Sequence, residues 1–288
     1  SDERQIVMAD GSTLLRDGGS FNGEDDVQHA NSDASYTLVY ENGSLNAADE
    51  EFLNTGRINL VTRIDDGSPS SGFNLDVLPS ANRTVETFLM DNGSQDFTSL
   101  SDGSSTYTLT VSDTTDLNGG RLSNGLLDAN GNVEVNGATV ASNVNAAGDF
   151  VFNSGSLSLV NLAFDGSSDQ LFQLAQSAIV GQLTLNQQGG SFSDPLQVEF
   201  DGPPLGISGQ LTLTSGLFVV DDPSDPNDNN EFIAVGQTGP GAPFGSRSSS
   251  NLPTAEVVHN PDGTLSHVVG KFQHGIPAGA PGNNNGQG

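Results

Sequence analysis

Asn118-Gly-Gly-Arg-Leu-Ser-Asn124-Gly-Leu-Leu-Asp-Ala-Asn130-Gly-Asn-Val-Glu-Val-Asn136-Gly137 carries four Asn-Gly pairs in one short stretch. Asn and Gly both tolerate positive φ, as the two centres of a type I′ turn require, so the pair is a strong local signal for a β-hairpin. Ten more Asx-Gly pairs begin at Asp10, Asp17, Asn22, Asn42, Asp66, Asn92, Asp102, Asp165, Asp201 and Asp262. One pair per roughly 20 residues leaves room for a strand of ordinary length on either side. This punctuation predicts an all-β protein, an antiparallel, hairpin-rich sandwich or barrel.

Alternation supports the strands. Tyr36, Leu38 and Tyr40 share one face, as do Tyr107, Leu109 and Val111, the latter opposed by Thr106, Thr108 and Thr110. Strands with one side on a core read this way. Further strands are expected at 57–64, 73–78, 84–90 and 264–273. Two segments break the pattern. Residues 46–54 have an Asn N-cap and acids in the first turn, followed by Gly56, and residues 168–179 pair Ser167 with Gln170 as a capping box ahead of Leu171, Leu174, Ala175 and Ala178. Both predict short helices.

A weak repeat begins at Gly131-Asn-Val-Glu-Val135 and recurs at Gly155-Ser-Leu-Ser-Leu159, Gly181-Gln-Leu-Thr-Leu185 and Gly209-Gln-Leu-Thr-Leu213. Such a period is also that of a β-solenoid, the runner-up architecture. The interval drifts upward along the chain, which favours a meander of hairpins over coils of constant length. The expected organisation is a hairpin region at 1–120, a meander at 121–235, and a Gly/Pro/Ser-rich loop, terminal strand and tail at 236–288.

Composition narrows the setting. The net charge is −28, with eight basic residues in 288, a balance that repels nucleic acid and anionic lipid. Cysteine is absent, which removes disulfides, thiolate metal sites and cysteine nucleophiles. No apolar run reaches the length of a membrane-spanning helix. Ser1-Asp2-Glu3 is compatible with an end left by removal of a leader. Low lysine, many acids and abundant Gly, Asn, Ser and Thr point to a secreted, extracellular or cell-surface protein.

No catalytic motif is present: there is no Gly-x-Ser-x-Gly elbow and no phosphate-binding glycine loop. Carboxylates are too abundant for any pair to single out a glycosidase. The densest acidic segment holds Asp221, Asp222, Asp225, Asp228 and Glu231, oxygen ligands of the kind calcium takes. It is the candidate metal site, with calcium the implied cofactor. His259, His267 and His274 form a weaker candidate for zinc or haem. The reading is of a non-enzymatic structural protein, a subunit of a fibre, pilus-like filament, surface layer or matrix. It would assemble with copies of itself by β-strand addition, with 4–15 or 254–273 as donor. A secreted ligand-binding β-barrel, such as a haem or metal scavenger, is the alternative.

Overall fold

Among the described residues every strand-to-strand ladder in the computed structural model is parallel, and each joins a strand to one laid down on a later pass of the chain; the one antiparallel contact there is the isolated bridge between Ser101 and Thr106. The structure describes residues 4–17, 25–29, 35–41, 50–52, 57–63, 72–74, 82–94, 96–101, 105–158, 160–190, 194–220, 233–235, 257–259, 266–269 and 272–274. Among them are 26 strands, numbered β1 to β26 in chain order, and no helix. The antiparallel hairpin architecture is therefore overturned. What the pairings describe is a chain wound in successive coils.

Each coil lays strands on up to three faces. The first face stacks β2 (Thr13–Asp17), β4 (Ser35–Glu41), β6 (Arg57–Arg63), β9 (Thr87–Asp91) and β12 (Thr115–Gly119). It continues through the start of β14 (Val133–Ala146), the start of β15 (Phe150–Leu157), β17 (Gln170–Leu174), β20 (Gln197–Asp201), the end of β22 (Leu211–Val219) and β25 (Ser266–Val269). The second face holds β7 (Gly72–Asn74), β10 (Phe97–Ser99), the start of β13 (Arg121–Ala129), the middle of β14 and the end of β15. A separate ladder on that face joins β18 (Ala178–Val180), β21 (Leu205–Ile207), β23 (Ile233–Val235) and β26 (Phe272–His274). The third carries β8 (Arg83–Val85), β11 (Thr108–Val111), the ends of β13 and β14, β16 (Asn161–Phe164), β19 (Gln182–Asn186), the start of β22 and β24 (Val257–His259). The strands β1 (Arg4–Met8), β3 (Asp25–His29) and β5 (Glu50–Phe52) form their own ladder ahead of β2, β4 and β6.

Because β14 and β22 run around corners and serve more than one face, the pairings close a ring. It passes through β14, β15, β17, β20, β22, β19, β16 and back to β14. In connectivity this is a closed seven-strand parallel barrel with further strands continuing beyond it. In space the ring follows from stacked coils whose three ladders share one core.

The core is a set of columns. Leu38, Leu60, Phe88, Thr115, Val133, Phe150, Phe172 and Phe200 occupy one register position on successive coils of the first face. Leu109, Leu127, Val144, Leu162, Leu183 and Leu211 do the same on the third. All are buried, and the apolar members join one cluster that runs from Met8 to Val220. Alternation puts every second residue inward, so a parallel register aligns apolar side chains coil upon coil.

Coil length varies widely. The coil that carries Val133 to its partner Phe150 is far shorter than the one that carries Phe172 to its partner Phe200. The drift that favoured a meander is thus absorbed at the corners and at register shifts within β13, β14 and β19, leaving the columns aligned.

Among the described residues, Asx-Gly pairs turn corners between parallel strands. Asn124 and Gly125 have φ of 60° and 58° and interrupt β13 between the second and third faces. Corner glycines also allow close stacking. A Cβ on Gly148 would lie 2.6 Å from the carbonyl carbon of Gly131, one coil earlier. Corner Asp and Asn side chains in turn cap the next coil. Asp10 accepts from the Ser35 N–H (2.9 Å), Asn132 from Asp149 (3.0 Å), Asp149 from Leu171 (2.8 Å) and Asp169 from Gln197 (2.9 Å). Part of the acidic composition is therefore structural, satisfying backbone donors where a strand begins.

Both expected helices fail where they can be checked. Residues 50–52 are strand β5, and the rest of 46–54 lies outside the described residues. Over 168–179 the chain forms β17 and β18. Gln170 is buried, its Nε2 donating to the carbonyls of Ala146 (2.9 Å) and Gly148 (2.5 Å) and its Oε1 accepting from Gly166 N–H (3.3 Å). Its side chain serves the preceding coil, and Phe172 and Leu174 alternate with it into the core. Ladder pairing on both edges outweighs a marginal two-turn helix.

Candidate binding cleft

The residues singled out for metal do not form a visible centre. Asp221, Asp222, Asp225, Asp228 and Glu231 lie outside the described residues. His259, His267 and His274 sit on β24, β25 and β26, so the winding distributes their backbones over three different faces. Among the described residues no group of three or more His, Asp or Glu side chains is placed to hold a metal ion.

Two pairs of carboxylates do meet across coils. Asp116 and Glu134 occupy one outward register position on β12 and β14. Burial, and then the Glu134 charge, raise the Asp116 pKa above the usual 3.8. Asp165 is raised likewise, by burial first and by Asp128 second, against a lowering backbone hydrogen bond. Beside them an amide ladder climbs one corner: Asn153 Nδ2 donates to Asn136 Oδ1 (2.8 Å) and Asn136 Nδ2 to Asn118 Oδ1 (3.2 Å). Both Asn136 and Asn153 also donate to Glu134 Oε1, at 3.1 and 3.0 Å. The spacing of Asn118, Asn136 and Asn153 is one coil, a signal present in the sequence but legible only once the coil length is known.

A concavity lies where the second face is interrupted. From β8 onward, among the described residues, β15 and β18 are the one pair of successive strands on a face that share no ladder. Hydrogen bonds close the coils on either side of the break, from Ala175 N–H to Phe152 O and from Gly181 N–H to Val160 O, both 2.8 Å. Between them the strands part to leave a cleft of about 420 Å³. Gln176 reaches across, its Nε2 donating to Gly155 O at 2.9 Å in place of a backbone N–H. Ser156, Ser158, Ser177 and Ser208 line the walls together with Ile179, the Ser208 hydroxyl donating to Val180 O at 3.2 Å, and among the described residues none that borders the cleft is ionisable. Sequence reading missed this site because nothing distinguishes these serines from the many others in the chain.

Comparison of the chain with protein-family models, with curated proteins and with solved structures gives no match. The class is thus defined by its own geometry: an all-β, parallel-wound chain with a packed interior and a lateral cleft.

Proposed function

We propose that the chain is an extracellular structural or assembly protein, a rod of stacked coils that contributes to a filament, surface layer or matrix. The observation that supports this most is the first-face ladder, which passes through eleven strands from β2 to β25 without a break. At the usual strand spacing of about 4.8 Å it spans roughly 50 Å. In such a winding each coil contacts only its neighbours, so stability accumulates along one axis and the ends present backbone edges.

Strand donation needs revision as the route of assembly. The segments at 4–15 and 254–273 contain β1, the start of β2, and β24 to β26, which pair within their own chain. End-on stacking takes its place in the proposal. Among the described residues β1 and β2 each pair on one edge only, and Val7 and Leu15 there are 62% and 52% exposed. Charge supports a head-to-tail sense. Residues 1–50 carry eleven acidic and two basic side chains, while residues 254–288 carry two acidic side chains, one lysine and three histidines.

The test is light scattering and negative-stain microscopy of the purified chain across a concentration series, in calcium and in chelator. Rods that lengthen with concentration, and that shorten in a Val7→Lys/Leu15→Lys variant, support the reading. A strict monomer under every condition overturns it. A calcium-dependent length would bring the acidic loop at 221–231 into the assembly. The binding alternative gains one specific support, the cleft between β15 and β18. A haem held inside a barrel does not fit, because the interior columns are filled with phenylalanine and leucine.

A further inference from the structure

We propose that the cleft between β15 and β18 binds a neutral carbohydrate segment, a role independent of end-on assembly. The interrupted ladder is the starting point. Strand edges that do not pair with each other must satisfy their backbone groups otherwise, through side chains, water or a ligand. Gln176 meets one such demand, at the carbonyl of Gly155.

The lining then selects the chemistry. The hydroxyls of Ser156, Ser158 and Ser177 and the Gln176 amide can each donate and accept, the dual character that sugar hydroxyls complement, while the Ser208 hydroxyl, donating to Val180 O at 3.2 Å, keeps only acceptor capacity. Ile179, half-buried, supplies apolar surface for the C–H face of a ring. Cations of the calcium type require several anionic or carbonyl oxygens, and among the described residues no carboxylate borders the cleft. Anions meet the field of a chain carrying −28 and find no Lys or Arg among the described residues of the lining. A neutral, polyhydroxylated ligand is what remains. The volume of about 420 Å³ lies within the range of small-ligand sites, roughly 300–1,000 Å³.

The experiment is a backbone-amide NMR titration of the full chain with maltotriose, cellotriose and xylotriose, and with the charged trisaccharide of galacturonic acid. At least one neutral trisaccharide should shift the amides of Gly155, Ser156, Ser177 and Ala178 saturably, with about millimolar affinity. The charged sugar should bind at least about tenfold more weakly. Ser177→Trp should fill the cleft and abolish the shifts while leaving the melting temperature in place. Should that variant fail to fold, Ser156→Ala/Ser177→Ala removes two hydroxyls without adding bulk and should weaken binding about tenfold. The proposal is overturned by an absence of shifts with all three neutral sugars, by equal binding of the charged one, or by binding that survives the folded variants.

Discussion

Phe172 and Phe200 are partners in a single register column, their ring centroids 5.4 Å apart and their planes at 62°, although a full coil of chain runs between them. Phe172 also meets Phe150 at 5.7 Å and Phe164 at 5.2 Å, so aromatic contacts from two faces converge on it. Edge-to-face pairs at these separations are favourable beyond the area they bury. Phe172→Ala should therefore cost about 3–5 kcal/mol. The check is the midpoint of chemical denaturation. A loss below about 1 kcal/mol would show that the column repacks around the void.

Thr115 occupies the same column between Phe88 and Val133, and its buried Oγ1 has no hydrogen-bond partner. Thr115→Val keeps the shape and removes a buried hydroxyl that lost its water on folding. It should stabilise the protein by about 1 kcal/mol, which for a chain of this size raises Tm by roughly 2–4 °C. Calorimetry that finds the variant less stable would mean that the hydroxyl has a bonded partner in solution.

Gly125 turns a corner at φ 58°, and a Cβ there would sit 2.6 Å from Leu100 Cβ and from the Leu100 carbonyl oxygen. Gly125→Ala adds a left-handed alanine to a backbone clash, so a loss of about 1–3 kcal/mol is expected. Thermal melts of Gly125→Ala against Gly11→Ala separate the two causes. Gly11 also has positive φ, but nothing lies within 4 Å of a Cβ there. Equal losses at both positions would refute a stacking clash as the cause.

Asp116 and Asp165 have folded-state pKa values raised above 3.8. Between 3.8 and the raised value the native state binds more protons than the unfolded state, so stability falls as pH rises through that window. Above the window the full penalty stands. Asp116→Asn and Asp165→Asn should therefore raise Tm at pH 7, and the gain should fade as the pH is lowered toward 3.8. Melting curves from acid to neutral pH check this, and a gain independent of pH would assign the effect to something other than charge.

Much of the strand content was legible locally. Inward Tyr36, Leu38 and Tyr40, and inward Tyr107, Leu109 and Val111, are buried as their alternation required, because side-chain direction along a strand has a period of two whatever its partner. The positions of tight turns were legible too, at Asp10-Gly11 and Asn124-Gly125 for example, because positive φ is a property of the residue itself. The cleft was not legible: Ser156, Ser177 and Ser208 acquire meaning only because two strands of one face part between them.

What the sequence determined by itself was the all-β class, the inward faces of strands such as 36–40 and 107–111 and the positions of tight turns such as Asn124-Gly125, since each is settled within a few residues. The tertiary structure alone decided whether a turn reverses the chain or bends it around a corner. Asn124-Gly125 satisfies both, and the choice rests on whether Leu127 gains more beside a hairpin neighbour or stacked on Leu109 and beneath Val144. The same long-range pairing turned residues 170–174 from a marginal helix into a strand. A ladder on each edge and a phenylalanine column supplied stabilisation that two isolated helical turns cannot match.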